Sequence, residues 1–186
     1  MEQCAYLIRV GAQCQIIFPF VMQILVVALT HEINMVFSKK DSLIARNIIM
    51  DYFENPILKI DSEILDNSYF SFQNNSESCV DNIKVFLKIE NNKIIDAKYW
   101  GLGCAISIAS TEILLQNILD KSILEAQKII KNYNDLLEGI ENLNSEEIIG
   151  DLIVFHNVYQ QPNRIRCAKI SSDSVTEIFK NKKIKK

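Results

Sequence analysis

The stretch IKVFLKIENNKIIDAKYWGLGCAISIAS, residues 83–110, decides the fold. Ile83, Val85, Leu87 and Ile89 alternate with Lys84, Phe86, Lys88 and Glu90. That period of two reads as a half-buried strand. Asn91-Asn92 suits a two-residue hairpin turn, because asparagine tolerates positive φ. Residues 94–100 then return antiparallel, and Gly101-Leu102-Gly103 breaks the strand. From Cys104 the apolar spacing becomes helical. Ile106, Ile108, Ile113, Leu114 and Ile118 mark a long helix to about Leu119.

Upstream, Asp41 or Ser42 can cap a helix carrying Leu43, Ile44, Ile48 and Tyr52. Asn55-Pro56 stops it, since a residue before proline is pushed out of the helical region. The polar stretch 59–75 holds a short aromatic strand candidate at 69–72. Downstream, Ser122 and Glu125 form a capping box that starts a new helix. A further helix is expected over 145–155 and a loop over 159–163. Ile165, Ala168, Val175, Ile178 and Phe179 predict a final helix. The fold class is α+β: a small antiparallel sheet of about three strands packed against about five helices.

Composition narrows the function. The chain is 48% hydrophobic and 23% charged, which excludes collagen-like, low-complexity and mostly disordered chains. A net charge of −3 argues against a nucleic-acid partner. Lys180, Lys182, Lys183, Lys185 and Lys186 read as a solvated basic tail, residues 180–186. The first 34 residues read differently from the rest. The apolar run 16–29 spans about 21 Å as a helix, short of the roughly 30 Å hydrocarbon core. A membrane anchor and a signal peptide are two readings of it. A third takes Met35 as the start, followed by a sequence of cytosolic character. The fold argument uses residues 35 onward, with the main domain at 35–179, a cytoplasmic location and no membrane partner expected.

Five cysteines, an odd number, do not make a disulfide framework. Cys4 and Cys14 lie in the doubtful N-terminal segment. Cys79 precedes a strand, two residues ahead of Asp81; Cys104 lies between a Gly-x-Gly turn and a helix; Cys167 opens the last helix. All sit at element ends, where a meander and two helices can bring their tips together. A helix N-terminus stabilises a thiolate, which favours reactivity at Cys104. Gly101 and Gly103 permit close approach of a ligand or partner. Arg164 and Arg166 would lower the Cys167 thiol pKa if they point inward. Asp81 could complete a Cys3Asp tetrahedral set suited to zinc or iron. The bland readings are a small core residue for each cysteine, a turn cap for Asp81 and solvated arginines. His31 lies in the doubtful extension, and His156 reads as structural or surface. Gly101-x-Gly103 lacks the rest of a dinucleotide fingerprint.

Four segments resemble the NifU N-terminal/IscU/SufU family of iron–sulfur assembly proteins, from about residue 44 to 175. IIMDYFENP (48–56) looks like the family's opening helix. Cys79-Val80-Asp81 stands where the family has Cys-Gly-Asp. AKYWGLGCAISIAS (97–110) closely matches the second cysteine motif, and PNRIRCA (162–168) resembles the third. The resemblance implies an α+β fold of the SufE/NifU type, with Cys79, Asp81, Cys104 and Cys167 converging at one exposed end. It implies either a [2Fe–2S] cluster assembled there or zinc held by a protein that accepts sulfane sulfur. Arg166 stands where the scaffold branch usually has histidine. The 62 residues between Cys104 and Cys167 include Gly150-Asp151-Leu152, similar to a SufU insertion. Gln160-Gln161-Pro162-Asn163 replaces the Leu-Pro-Pro-Val-Lys docking motif. These features favour the SufU branch.

Two departures stand out. Val80 replaces the family glycine, and a β-branched residue would be strained at positive φ. Glu77 replaces the family proline. The resemblance implies a cysteine desulfurase as partner, with iron–sulfur apo-proteins downstream. Zinc initially holds Asp81, Cys79, Cys104 and Cys167; ligand exchange with a partner residue frees a cysteine, and Cys167 is the expected acceptor. In the scaffold alternative the same residues hold a [2Fe–2S] cluster for transfer to apo-proteins. A third reading is a zinc-stabilised interaction module without sulfur chemistry.

Overall fold

The structure is a computed structural model, and it describes residues 41–63, 66–75, 80–140 and 145–184. The N-terminal segment, with its apolar run, Cys4, Cys14, His31 and Met35, therefore lies outside the described residues, as do Glu77 and Cys79. Among the described residues no helix is long and apolar enough to cross a membrane.

Helix α1 (Ser42–Glu54) begins where Asp41 accepts the Leu43 and Ile44 amides, at 2.9 and 3.3 Å. It ends at Asn55, before the proline. Three strands follow, β1 (Tyr69–Asn75), β2 (Asn82–Glu90) and β3 (Lys93–Leu102), forming an antiparallel meander in the order β1-β2-β3. The turn between β2 and β3 places Asn91 at φ 48° and Asn92 at φ 62°, as its residue types predict. Lys88 pairs with Asp96 but Ile89 pairs with Ile94, so Ile95 is an extra, bulged residue. The bulge lets Ile94 and Ala97 both face the core while Ile95 stays exposed.

Alternation holds on the inner face of β2, where Ile83, Val85, Leu87 and Ile89 are buried. It fails on the outer face at Phe86, which is also buried. Lys84 covers the ring there, its ammonium 5.6 Å from the centroid, and pairs with Glu63. A lysine stem over an aromatic face shields it from water while the charged end meets a carboxylate.

Helix α2 (Ala105–Ile118) is the centre of the molecule. It is apolar on nearly all sides, and even Ser107, Ser110, Thr111 and Glu112 are buried. The Ser110 and Thr111 hydroxyls donate back to the Ser107 carbonyl at 3.1 and 2.6 Å. The Glu112 carboxylate accepts the Ile57 and Leu58 amides, each at 3.0 Å, and Gln116 at 2.7 Å. Residues 58–60 also bond to Tyr99 of β3 through both its amide and its carbonyl. This strap thereby ties α2 to the sheet. Helix α3 (Ile123–Leu137) starts at the expected capping box.

Two downstream expectations change. Residues 145–155 are not one helix but a short α4 (Ser145–Ile149) followed by a 3-10 turn over Gly150–Phe155. Gly150 takes φ +55°, which an α-helix cannot contain. Asp151 then accepts a 2.8 Å hydrogen bond from the Tyr52 hydroxyl, docking this segment on α1. Burial and that carboxylate push the Tyr52 pKa up to about 12. A second 3-10 turn, Val158–Gln160, leads into α5 (Pro162–Ile184). Proline suits the first helical position, where its missing N–H costs nothing. Helix α5 thus runs into the lysine-rich segment. Lys180 pairs with Glu177 at 2.6 Å, and the Lys182 ammonium sits 6.0 Å from the Phe70 ring centroid.

Candidate metal and sulfur site

The site follows from the β2–β3 register. Asn82 pairs with Leu102, so the residue before β2 faces the residues after β3. Asp81 is therefore beside Cys104, and its Oδ1 accepts the Cys104 amide at 2.8 Å. Cys104 is the N-cap of α2, and the carboxylate supplies the negative charge that a helix N-terminus favours. Cys104 Sγ stands 3.9 Å from Asp81 Oδ2. Ser107 donates to the Cys104 carbonyl at 2.9 Å, with its Oγ 3.5 Å from the sulfur. Cys167, in the first turns of α5, is 3% exposed and completes the group. One ligand atom from each of Asp81, Cys104 and Cys167 lies within 4.8 Å of the other two.

The glycines do not leave room for a ligand. A Cβ on Gly101, at φ +128°, would stand 2.1 Å from the Asn82 carbonyl oxygen. One on Gly103 would stand 2.5 Å from Ser107 Oγ and 3.3 Å from Asp81 Oδ1. Both glycines admit the chain's own atoms. Val80, which stands where the family has glycine, is 87% exposed.

The arginine expectation is also corrected. The Cys167 thiol pKa is pushed up, not down, first by burial and then by Asp81 and Cys104. Arg164 and Arg166 are exposed and do not offset this. A tetrahedral site with bonds of about 2.0–2.3 Å sets its donors roughly 3.3–3.8 Å apart; Cys104 Sγ and Asp81 Oδ2 stand 3.9 Å apart, and all three donors lie within 4.8 Å of one another. A divalent cation among them would offset the crowding of a carboxylate and two sulfurs. The donor set thus fits zinc or iron.

Cys104 and Cys167 line a groove of about 800 Å³ between α1, the 3-10 turns and α5. Ile49, Ile106 and Val154 contribute apolar wall, and Arg46, His156 and Arg164 contribute polar groups. His156 Nδ1 lies 3.2 Å from the Ile153 carbonyl. Sequence reasoning missed Ser107 and Arg46. Ser107 carried a signal, a hydroxyl three residues after a helix cap; Arg46 carried none.

Comparison with known proteins agrees with this geometry. The family model described as NifU-like N terminal domain matches residues 44–168. The zinc-dependent sulfurtransferase SufU of Bacillus subtilis is 35% identical over 126 residues, covering 68% of this chain and 82% of that protein. The iron–sulfur cluster assembly scaffold protein IscU of Streptococcus pyogenes is 30% identical over 108 residues, covering 58% and 67%. Among solved structures, a protein described as an iron–sulfur cluster assembly scaffold for the SUF system of Fervidobacterium islandicum aligns with a TM-score of 0.59 at 28% identity, covering 77% of this chain and 96% of that one. A nitrogen-fixing NifU-like protein from Brucella abortus, 16% identical with a TM-score of 0.63 over 72% of this chain and 90% of its own, shares the fold. The chain belongs to the NifU-like N-terminal domain family, and is an iron–sulfur cluster assembly protein of the NifU/IscU/SufU type.

Proposed function

We propose that the chain serves iron–sulfur cluster assembly as a zinc-binding sulfur acceptor, supplied by a cysteine desulfurase. One observation carries this reading: Asp81, Cys104 and Cys167 converge within 4.8 Å, with both sulfurs on an open groove. The 35% identity to a zinc-dependent sulfurtransferase supports zinc as the metal. Asp81, Cys104 and Cys167 would hold it, with Cys79 as fourth ligand on the strength of the sequence motif. Zinc supplies a positive centre that favours thiolate over thiol and adds to folding stability.

The chain's own residues do the rest. Asp81 and Ser107 fix the backbone of Cys104, and α5 presents Cys167 to the groove. The Cys167 thiolate attacks the terminal sulfur of a cysteine persulfide on the donor. An S–S bond forms at Cys167, the donor's S–S bond breaks, and the donor cysteine leaves as a thiolate. Cys167 is almost wholly buried, so the groove is the route by which the persulfide arrives. Iron–sulfur apo-proteins are the downstream recipients.

A second reading has support from the oxygen donor in the set. Asp81 among the sulfurs would suit a [2Fe–2S] cluster carried as cargo, because an oxygen ligand is released from iron more readily than thiolate. The test is anaerobic. The full chain, zinc-loaded, is mixed with the desulfurase of the same organism, and alanine release from cysteine is followed. Strong stimulation by the wild type, lost in Cys167→Ser, is expected. No stimulation by the wild type would overturn the acceptor reading and make cluster reconstitution with iron and sulfide the next measurement.

A further inference from the structure

The two sulfurs sit on different helices, Cys104 at the N-cap of α2 and Cys167 in the first turns of α5. A buried chain of hydroxyl groups joins those helices from inside the core. It starts at Cys104, whose carbonyl accepts the Ser107 hydroxyl at 2.9 Å. The Ser107 carbonyl accepts the Ser110 hydroxyl at 3.1 Å. Ser110 in turn meets Tyr133 of α3, and the Tyr133 hydroxyl donates to the Ala168 carbonyl at 3.1 Å. Ala168 is the residue after Cys167. Ser107, Ser110 and Tyr133 are all fully buried, so water does not compete for these bonds. Burial pushes the Tyr133 pKa up and the hydrogen bond with Ser110 works the other way, so the hydroxyl stays a donor. Helix α3 and its C-cap hold α5 at two further points. Asn134 Oδ1 accepts the Ser172 hydroxyl at 2.9 Å, and Glu138 meets Lys169 at 2.6 Å. Tyr133 adds to these a link to α2.

We propose that Tyr133 is a positioning residue for the metal site: its hydroxyl, held between Ser110 and the Ala168 carbonyl, sets the spacing of Cys104 and Cys167. This rests on the zinc-binding part of the reading above and supplies what that part leaves open, the origin of the donor spacing. The helical bonds of α5 fix its own shape but not its place relative to α2. Apolar packing is non-directional and lets one helix settle against another with some play. A hydrogen bond to the carbonyl beside Cys167 is directional and removes that play. A metal ion accepts errors of only about 0.2 Å in its bonds, so it feels a shift that the core absorbs. Tyr133 touches neither sulfur; it acts through the backbone of α5 and the Ser110–Ser107 ladder of α2.

The test separates position from stability. Tyr133→Phe keeps the ring, which meets Phe155 edge-on with centroids 6.1 Å apart, and removes only the oxygen. The zinc Kd of the purified full chain is measured by competition with a chromophoric chelator. The visible bands of the cobalt(II)-loaded chain report the coordination geometry, and alanine release with the desulfurase is followed beside them. Tyr133→Phe is expected to raise the zinc Kd about tenfold and to shift the cobalt bands. Tyr52→Phe is the control, since it removes a phenol bond of 2.8 Å to Asp151 on a different helix. It is expected to lower the melting temperature while leaving zinc Kd and cobalt bands at wild-type values. If Tyr133→Phe does not fold, Ser110→Ala takes its place, with an expected rise in Kd of about threefold. A folded variant that loses melting temperature but keeps both metal readouts overturns the proposal. So does a Tyr52→Phe shift as large as that of Tyr133→Phe, because the effect would then follow stability. A wild type that binds neither metal overturns it together with the zinc reading. Tyrosine-dependent metal binding without stimulated alanine release keeps the positioning role and removes the acceptor reading. Stimulation by the wild type with both metal readouts unchanged in Tyr133→Phe does the reverse.

Discussion

The two ends of the β2–β3 hairpin make opposite use of the same strands. At the turn end, polar groups are satisfied inside the chain. The Ile94 amide bonds to the Lys121 carbonyl and the Ile123 amide to the Asn92 carbonyl, each at 2.9 Å. Ser122 and Glu125 cap one another's amides at 3.2 and 2.8 Å. Lys93 meets Asp120 at 3.2 Å. At the other end, a carboxylate and two sulfurs crowd within 4.8 Å, and the Cys167 thiol pKa is pushed up, first by burial and then by Asp81 and Cys104. Crowding of this kind opposes ionisation unless a cation is shared. One end is built for stability; the other keeps coordinating capacity for something the chain does not itself supply. Such local conflict marks a functional site.

The largest expected effect tests whether the site end tolerates any change of backbone. Gly101→Ala places a methyl 2.1 Å from a backbone oxygen at φ +128°, and about 3 kcal/mol or more of stability should be lost in urea denaturation. A loss below about 1 kcal/mol would mean that the strand end re-routes, and the contrast in rigidity would fall. The next effect is metal removal. Stripping zinc with a chelator is expected to cost about 2–3 kcal/mol and to lower the melting temperature. Amide exchange should then quicken at Cys104 and Ser107 but not at Ile94 or Ile123. Equal quickening at both ends would show one cooperative unit instead of two. The smallest effect sharpens the turn end. Ser122→Ala is expected to cost about 1 kcal/mol by removing a helix cap. Zinc content and alanine release should stay at wild-type levels; a fall in zinc content would couple the two ends.

Local patterns were legible in the residues. Alternation along 83–90, the Asn91-Asn92 turn, the Ser122–Glu125 box and the Asn55-Pro56 stop all became the elements they predict. The resemblance in four motifs pointed to the family that the comparisons then showed. Errors arose where a local rule met a neighbour. Phe86 alternates as an outward residue but is buried beneath Lys84. The helix over 145–155 breaks because Gly150 turns left-handed as the chain enters the segment that docks on Tyr52.

What the sequence by itself determined is the order and type of the elements, and the placing of Asp81, Cys104 and Cys167 at their ends. Periodicity, caps and turn residues act within a few positions of one another, so they can be read in a line. Only the tertiary structure decided that these three residues meet. Asp81 reaches Cys104 because a particular register, set by a two-residue turn and the bulge at Ile95, pairs Asn82 with Leu102. Cys167 joins them because α5 packs against the buried face of α2. The same packing sets Arg46 and Arg164, far apart in the chain, on one groove. It also turned the role of the arginines around, since burial beside a carboxylate raises the Cys167 pKa and the guanidinium groups stay at the surface. Distance, register and burial are set by the whole chain at once, and no local pattern carries them.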